Sequence, residues 1–229
     1  MKVKISAVVI KYFAVILMTI DHCALVFVEV DSIWYHVMRF FGRTVAPVMC
    51  FFIVEGFRHT KSRKKYLLRM LIFAVISQPA YALMTNNFLR LNVMYTFAVS
   101  LVMLIISCEN RRLNVYLKTL LIAVFFCLSM LGDWKHFIPV WMLIFWLFKD
   151  NFKKQIVMFL IATFAMITLN NFNGNLYRYG SLFSVVPLII YSGERGGGNN
   201  KVLKAFNKWF FYFYYPAHMM VLVLLKSYH

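Results

Sequence analysis

Long apolar runs, separated by short polar and basic segments, cover most of this chain of 229 residues. Most of the runs have roughly the twenty residues that an α-helix needs to cross the hydrocarbon core of a bilayer. The pattern predicts an all-α fold, a polytopic transmembrane helical bundle of about nine spans, within a range of about eight to ten because one run is short. The runs fall at about residues 5–28, 33–57, 64–84, 91–108, 113–131, 136–149, 154–170, 177–192 and 206–226.

The composition agrees with a membrane protein and argues against several other classes. Hydrophobic residues make up 62% of the chain and the mean hydropathy is +0.70, whereas soluble domains are about half apolar. The N-terminal run lacks a small-residue cleavage site, so we expect a retained helix and not a signal peptide. No linker or internal repeat is visible, which predicts a single transmembrane domain over residues 1–229. The cysteines have no C-x-x-C spacing and are expected to be buried fillers, so no metal site is predicted.

The chain has a net charge of +17, and its Lys and Arg residues fall mostly on one side of the predicted membrane spans. If the N-terminus is cytoplasmic, 18 Lys and Arg residues lie on the cytoplasmic side and only 4 on the other, as the positive-inside rule requires. This predicts a cytoplasmic N-terminus and an outside C-terminus, and it removes the need for a nucleic-acid partner. The cytoplasmic set is Lys2, Lys4, Arg58, Lys61, Arg63, Lys64, Lys65, Arg69, Arg111, Arg112, Lys118, Lys149, Lys153, Lys154, Arg195, Lys201, Lys204 and Lys208.

Four ionisable residues lie deep within the first two predicted spans. The first run ends in "LMTIDHCALVF", which contains Asp21 and His22, and the second carries Arg39 and Arg43. A rise of about 1.5 Å per residue puts Arg39 about 9 Å and Arg43 about 15 Å below the outer edge, and their i, i+4 spacing places them on one face. Each buried arginine costs at least about 2.5–3.5 kcal/mol to insert. We expect Asp21 to pair with Arg39 and not with the adjacent His22.

Other polar residues have both a structural and a functional interpretation. Gln78 and His218 reach a similar depth to Arg43, which predicts one shared polar layer, although each could simply satisfy helix packing. Glu55 and His59 form an i, i+4 pair at the cytoplasmic boundary, either a solvated edge pair or part of a site. Tyr215 is expected to be a packing residue that borders the cavity. The basic cluster after the second span anchors topology and could also bind anionic lipid or a phosphorylated ligand. It includes Arg58, Arg63, Lys64 and Lys65.

Several motifs, in order along nearly the full length, resemble the TraX family. The family pattern is a D-H pair that ends the first helix, an R-x-x-x-R-x-x-x-P second helix followed by a basic turn, and a closing F-Y-x-x-Y-P-x-H. These elements are present as Asp21-His22, as Arg39, Arg43 and Pro47, and in "KWFFYFYYPAHMMVLVLL". The family is named for an inner-membrane protein that acetylates the N-terminus of conjugative F-pilin. It is similar to the transmembrane acyltransferase superfamily, which uses cytosolic acetyl-CoA.

The resemblance implies a multi-pass protein of the bacterial inner membrane that transfers an acetyl group. The donor substrate would be acetyl-CoA, and the acceptor an amine or hydroxyl of a peptide, glycan or lipid near the outer leaflet, with a pilin-like N-terminus as one candidate. Such transfer needs a base and positive charge for the oxyanion. We assign the base role to His22, charge balance to Asp21, the donor channel to Arg39 and Arg43, and CoA phosphates to the basic cluster.

Two other classes fit the same residues. Intramembrane His, Arg and Glu also serve proton-coupled transporters, but the missing repeat and the scarcity of carboxylates count against an ion path. A non-catalytic assembly factor for a surface structure is the other alternative. Binding of acetyl-CoA would separate the enzyme from both.

Overall fold

The computed structural model describes residues 4–108, 114–170, 175–198 and 200–228. Within these ranges the chain is helical, and β-type pairing is confined to two isolated bridges, Ile5–Tyr191 and Leu91–Gly132. A 3₁₀ helix covers Leu176–Ser184. The α-helices are α1 (Ala7–Phe27), α2 (Ile33–Gly42), α3 (Val45–His59), α4 (Arg63–Thr85), α5 (Val93–Cys108), α6 (Val115–Ser129), α7 (Phe137–Leu147), α8 (Phe152–Asn170), α9 (Val185–Ile189) and α10 (Lys201–Ser227).

The helices have the length and composition of a membrane protein. In the described part of the chain, four segments are long and apolar enough to cross a bilayer: Ala7–Phe27, Ile33–His59, Arg63–Thr85 and Phe152–Asn170. Three shorter apolar helices, α5, α6 and α7, accompany them. The predicted all-α fold is confirmed, whereas the count of about nine spans and the sidedness of the termini stay predictions. Three of the residues that define the predicted charge asymmetry, Lys2, Arg111 and Arg112, lie outside the described residues.

The second predicted span is interrupted. The sequence predicts a continuous helix over 33–57, but the chain turns at Arg43 and Thr44 between α2 and α3. The Thr44 hydroxyl donates to the carbonyl oxygen of Gly180 at 3.3 Å. The backbone N–H groups of Arg43 and Thr44 donate to the carbonyl oxygens of Arg39 and Phe41 at 3.0 and 3.1 Å, so both donors are satisfied within the protein at the turn. Apolar composition alone does not reveal such a turn, since both halves remain hydrophobic.

The predicted span at 177–192 was wrong as a continuous α-helix. The 3₁₀ helix is followed there by the five residues of α9. Gly180 lies against the backbone of Phe40 so closely that a Cβ at this position would clash with the Phe40 carbonyl. Close backbone contact with α2 therefore packs one side of this irregular segment against protein, whereas the side chains of Leu176 and Phe183 are exposed.

The chain forms two compact units. The first comprises Met1–Phe52 and Leu160–His229, and the second comprises Ile53–Phe159. In the first unit α1 packs on α2 and α10, and α2 packs on the 3₁₀ helix. In the second unit α5 is central and packs on α4, α6 and α7. The deep ionisable residues of α1, α2 and α10 all belong to the first unit.

Candidate functional site

A buried carboxylate with two cationic partners forms the centre of the site. Asp21 is 7% exposed and Arg39 is 9% exposed. Arg39 donates from Nη1 to Oδ2 of Asp21 at 2.7 Å, and Arg43 donates from Nη2 to both carboxylate oxygens at 3.2 and 3.3 Å. The Asp21–Arg39 pair agrees with the sequence-based expectation, and Arg43 joins it. Two positive charges therefore share one negative charge, and the cluster carries a net positive charge in a low-dielectric setting.

Gly42 allows α2 to approach the carboxylate. It lies between the two arginines, and a Cβ at this position would clash with the side chain of Asp21. The absence of a side chain lets the backbone of α2 pack directly on Asp21, so that both guanidinium groups reach the same carboxylate. Arg43 follows Gly42 at the turn between α2 and α3, and this places it off the regular helix.

Tyrosine rings enclose the two guanidinium groups. The Arg39 guanidinium carbon lies 5.5 Å from the centre of the Tyr177 ring and 5.8 Å from that of Tyr35. The Arg43 guanidinium carbon lies 5.7 Å from the Tyr177 ring centre. Cation–π contacts of this kind are worth about 2 kcal/mol when desolvated. Tyr177 belongs to the 3₁₀ helix, so this irregular segment has a direct part in building the site.

Helices α1 and α10 run parallel and meet along a polar seam. Tyr12 donates from its hydroxyl to Oδ1 of Asn207 at 2.7 Å, and the hydroxyls of Thr19 and Tyr214 lie 2.6 Å apart. A third contact joins the two histidines, His22 and His218. These three side-chain contacts between α1 and α10 are called the rungs of the seam. The partners are separated in sequence by 195, 195 and 196 residues. Because this separation is nearly constant, the two helices run in the same direction. Spacings of seven and then three residues along α1 keep all three rungs on one face.

The two histidines form a direct hydrogen bond. Nδ1 of His22 lies 2.7 Å from Nε2 of His218. Their rings are parallel to within 1° with centroids 4.9 Å apart, a geometry in which the rings are edge to edge and the bond lies in their plane. His218 is 7% exposed, and its Nδ1 lies 2.8 Å from the carbonyl oxygen of Tyr214. Among the described residues, His22 has no hydrogen-bond partner other than His218.

The histidine pair lies within the electrostatic reach of the arginines. The charges of Arg39 and Arg43 both act on His22. The arrangement therefore combines an imidazole nitrogen that has no hydrogen-bond partner among the described residues with two guanidinium groups nearby. A base next to a preformed cationic environment can remove a proton and stabilise the anion that results.

Lys11 is a further cation in the apolar part of α1. Its Nζ lies 5.1 Å from the ring centre of Phe52 and 5.8 Å from that of Phe211. No carboxylate lies within 4.0 Å of Lys11 in the described ranges, and Arg195 adds like charge to its surroundings. Lys11 precedes His22 by eleven residues, or about three helical turns and 16 Å, so the two residues share a face of α1.

Comparison with known proteins identifies the family. The family model described as TraX protein matches residues 6–226. The chain belongs to the TraX family. A relative, the probable fimbrial assembly protein FimC of serogroup H1 from Dichelobacter nodosus, is 30% identical over 251 residues, which cover 97% of this chain and 96% of the relative. No solved structure matches the chain.

The TraX motifs quoted from the sequence coincide with the cluster in the first unit. Asp21 and His22 end the first motif, Arg39 and Arg43 form the second, and His218 comes from the third. Tyr215, in the same motif as His218, is 6% exposed, and the centroid of its ring lies 5.9 Å from that of the His218 ring. The tertiary structure thus brings together residues from the two ends of the family pattern.

Gln78, predicted to share the polar layer, belongs to the second unit. Its Nε2 donates to the carbonyl oxygen of Arg90 at 2.9 Å, and its Oε1 accepts from the backbone and the side chain of Asn92 at 3.0 and 2.8 Å. These bonds fasten the segment between α4 and α5. They give Gln78 a structural role in this TraX-family protein.

Glu55 and the basic cluster also belong to the second unit. Oε1 of Glu55 lies 2.9 Å from Nε2 of His59, and Arg58 donates to Oε2 of Glu55 at 3.3 Å. Since the side chain of His59 is 72% exposed, this group has the features of a solvated edge pair. The guanidinium carbon of Arg63 lies 4.6 Å from the Phe57 ring centre, and Lys64 and Lys65 are exposed in the first turn of α4.

Sequence reasoning missed several residues that build the candidate site. It left Lys11 without a role, placed Tyr177 in a regular span, and did not assign the Thr19–Tyr214 rung. The three-turn spacing of Lys11 and His22 was a usable signal, because it predicts a common face. Nothing in the sequence pairs Tyr177 with the arginines, since the contact depends on the fold of the 3₁₀ helix.

Proposed function

We propose that this TraX-family protein is a membrane-embedded acetyltransferase. It transfers an acetyl group from cytosolic acetyl-CoA to an amine or hydroxyl acceptor near the outer leaflet. The observation that carries the proposal is Nε2 of His22, which has no hydrogen-bond partner among the described residues, beside two arginines that share one carboxylate. The name of the relative, a fimbrial assembly protein, supports a subunit of a surface fibre as acceptor, with its N-terminal amine as the acetylated group.

His22 acts as the general base and then as the general acid. The acceptor nitrogen attacks the thioester carbonyl and forms the N–C bond while its proton moves to Nε2 of His22. The carbonyl electrons move to the oxygen, and the net positive charge of Arg39 and Arg43 stabilises that oxyanion. The C–S bond then breaks, and Nε2 returns the proton to the CoA sulfur. A well-placed base of this kind contributes about 10²–10⁴-fold to the rate.

The donor lies along the face of α1 that carries both Lys11 and His22. Lys11 binds a phosphate oxygen of CoA, since it is a cation with no carboxylate partner among the described residues. The distance of about 16 Å along the helix suits a pantetheine arm that extends from the phosphates to the thioester. The phosphate-binding role suggested by the sequence for Arg58, Arg63, Lys64 and Lys65 stays a prediction.

The proposed topology has the N-terminus in the cytoplasm and the C-terminus outside, in the bacterial inner membrane. This topology takes α10, which is parallel to α1, as a further span beyond the four segments given above; two parallel helices that both cross the bilayer end on the same side. The start of α1 and the end of α10 then lie on opposite sides. The predicted excess of Lys and Arg on one side supports a cytoplasmic N-terminus.

The test is transfer of a labelled acetyl group from acetyl-CoA by protein purified in detergent. The acceptors are short peptides with a free N-terminus, a blocked N-terminus and a serine hydroxyl. We expect His22→Ala to lower the rate by about 10²–10⁴-fold and Arg43→Ala to lower it by about 10²–10³-fold. His136→Ala is the matched control from the second unit and should retain activity. Wild-type rates in both His22→Ala and Arg43→Ala would remove these residues from the chemistry.

A non-catalytic assembly factor is the second candidate, because the relative is named for assembly and not for an enzymatic activity. A titration of thermal stability with acetyl-CoA and with desulfo-CoA separates the two. An enzyme is stabilised by mass action, by about 2.7 kcal/mol at a ligand concentration of 100 times the Kd. An assembly factor or a proton-coupled transporter would be indifferent to both ligands.

A further inference from the structure

His218 is a buried titratable group that the transfer step above does not use. It comes from α10 and meets His22 through an in-plane bond of 2.7 Å. Its other ring nitrogen lies 2.8 Å from the carbonyl oxygen of Tyr214. A neutral imidazole has one N–H donor and one lone-pair acceptor. The partners of the two rings therefore determine where each proton resides.

The hydrogen-bond chain permits one arrangement of protons for two neutral rings. A carbonyl oxygen only accepts, so Nδ1 of His218 carries a proton and donates it to Tyr214. Nε2 of His218 then has the lone pair and accepts from Nδ1 of His22. It follows that Nε2 of His22 has no proton and presents its lone pair. The backbone carbonyl of Tyr214 thus determines, through two rings, which nitrogen of His22 is basic.

The position of His218 is itself fixed by contacts within the first unit. The Tyr214 ring stacks on the His218 ring with centroids 5.0 Å apart and planes 12° apart. The Tyr214 hydroxyl is held 2.6 Å from the hydroxyl of Thr19, which donates to the carbonyl oxygen of Val15 at 2.9 Å. Proteins commonly fix the orientation and tautomer of a functional histidine by a hydrogen bond to the ring nitrogen that faces away from the reaction.

The carboxylate nearest to His22 in sequence, that of Asp21, is paired with other residues. Asp21 accepts from Arg39 and Arg43, and no carboxylate contacts His22 among the described residues. In a Ser-His-Asp triad, an aspartate holds the base histidine in the correct tautomer. In this protein the neutral imidazole of His218 takes the place of that aspartate. It therefore adds no charge next to the ion pairs of Asp21 with Arg39 and Arg43.

We propose that His218 is a positioning residue that holds His22 in the Nδ1–H tautomer, so that Nε2 faces the substrate as the base. The part of this inference that concerns acetyl transfer rests on the proposed function. When Nε2 takes the proton of the acceptor, His22 becomes an imidazolium that carries a proton on each nitrogen. Its Nδ1–H bond to the lone pair of His218 stabilises that cation. Loss of the Nε2 proton to the CoA sulfur restores both starting tautomers.

The first test is nitrogen NMR of protein with ¹⁵N-labelled histidine rings in lipid nanodiscs, without any substrate. The chain has six histidines, and the His22 and His218 signals are assigned by their loss in His22→Gln and His218→Phe. We expect both residues to carry the proton on Nδ1. In His218→Phe we expect the His22 signals to shift toward the Nε2–H form. Tyr12→Phe, which removes another rung of the same seam, should leave the His22 signals unchanged.

A wild-type His22 in the Nε2–H form would overturn the inference. So would a His22 spectrum that is unchanged in His218→Phe. Both readings are independent of acetyl transfer. If the tautomers are as expected and no acceptor is acetylated, the proposed function fails and the histidine pair stands. If transfer occurs with the opposite tautomer, only the present inference fails.

The second test uses a conservative replacement. In His218→Gln the side-chain oxygen can accept from Nδ1 of His22, whereas in His218→Leu nothing can. We expect His218→Leu to lower kcat by about 100-fold with an unchanged KM for acetyl-CoA, and His218→Gln to recover at least about tenfold of that loss. Equal losses in the two variants, or a change confined to KM, would contradict a positioning role.

Discussion

Two groups of buried polar side chains lie in apolar surroundings, one in each compact unit, and they are built differently. In the second unit Asn92 is fully buried, and its side chain donates to Ala74 and Gln78 and accepts from the backbone of Met94 and Tyr95. In the first unit two arginines share one carboxylate, and one nitrogen of His22 has no partner among the described residues.

The difference separates a structural polar network from a candidate site. Buried polar groups are normally satisfied, because each unpaired group costs about 1–3 kcal/mol. The network of Asn92 is neutral and closed, and it fixes the connection from α4 to α5. Asp21, Arg39 and Arg43 together carry one more positive than negative charge, and Nε2 of His22 has no hydrogen-bond partner among the described residues. Charged groups that are kept within a membrane segment despite their unfavourable free energy indicate a functional site.

The largest expected effect comes from removing the carboxylate that the two arginines share. In Asp21→Asn the guanidinium groups lose their counter-charge in a buried setting, so we expect the free energy of unfolding to fall by about 3–5 kcal/mol. Chemical denaturation of the detergent-solubilised protein measures it. Adding Arg39→Gln to Asp21→Asn should recover part of the loss, since it removes one of the uncompensated charges. A stability equal to wild type in Asp21→Asn would show that the pair contributes nothing.

Removing the amide of the closed network should affect stability alone. Asn92→Leu removes the side-chain bonds to Ala74 and Gln78 and the side-chain acceptor of the Met94 and Tyr95 N–H groups, and we expect a loss of about 1–3 kcal/mol in the free energy of unfolding. Acetyl transfer per folded molecule should stay at the wild-type level. Asn170→Leu, at the exposed end of α8, is the matched control. A loss of transfer in Asn92→Leu larger than the loss of folded protein would end the distinction between the two regions.

Lys11 tests whether excess positive charge in the first unit serves a ligand. Lys11→Gln keeps a long polar side chain without the charge, so we expect KM for acetyl-CoA to rise about tenfold, the size of one charge-assisted hydrogen bond, with little change in kcat. Steady-state kinetics over a range of acetyl-CoA concentrations measure both. Lys226→Gln, in the last turn of α10, serves as the lysine control. An unchanged KM would remove Lys11 from the donor site.

The smallest effect is expected at the edge pair of the second unit. Glu55→Gln removes bonds to Arg58 and His59 that are open to solvent, and such pairs contribute less than about 1 kcal/mol. Thermal unfolding at low and high salt provides the check, because screening should reduce the difference further. A loss of several kcal/mol would show that Glu55 is coupled to buried groups.

Part of the site could be predicted from the sequence, because the free-energy cost of placing a charged side chain in lipid depends on that residue and its own apolar segment. Asp21, His22, Arg39 and Arg43 stand out in apolar runs, and the i, i+4 spacing of the arginines predicted their common face. The pairing of Asp21 with Arg39 followed from their matching depth.

Other features depended on contacts that a hydropathy pattern does not contain. The turn after Gly42, the 3₁₀ helix that supplies Tyr177, and the closed bonding of Gln78 leave the apolar runs unchanged. The bond between His22 and His218 joins positions 196 residues apart. It requires α1 and α10 to be parallel neighbours in a fixed register.

The sequence by itself determined that this TraX-family chain is a helical membrane protein with costly charges in its first two spans. Length, apolar content and charge distribution decide this, since lipid acts on each segment separately. Only the tertiary structure decided which of these groups meet and which are satisfied. Whether a buried proton acceptor is free depends on the partners that other helices bring to it, and that is a property of packing.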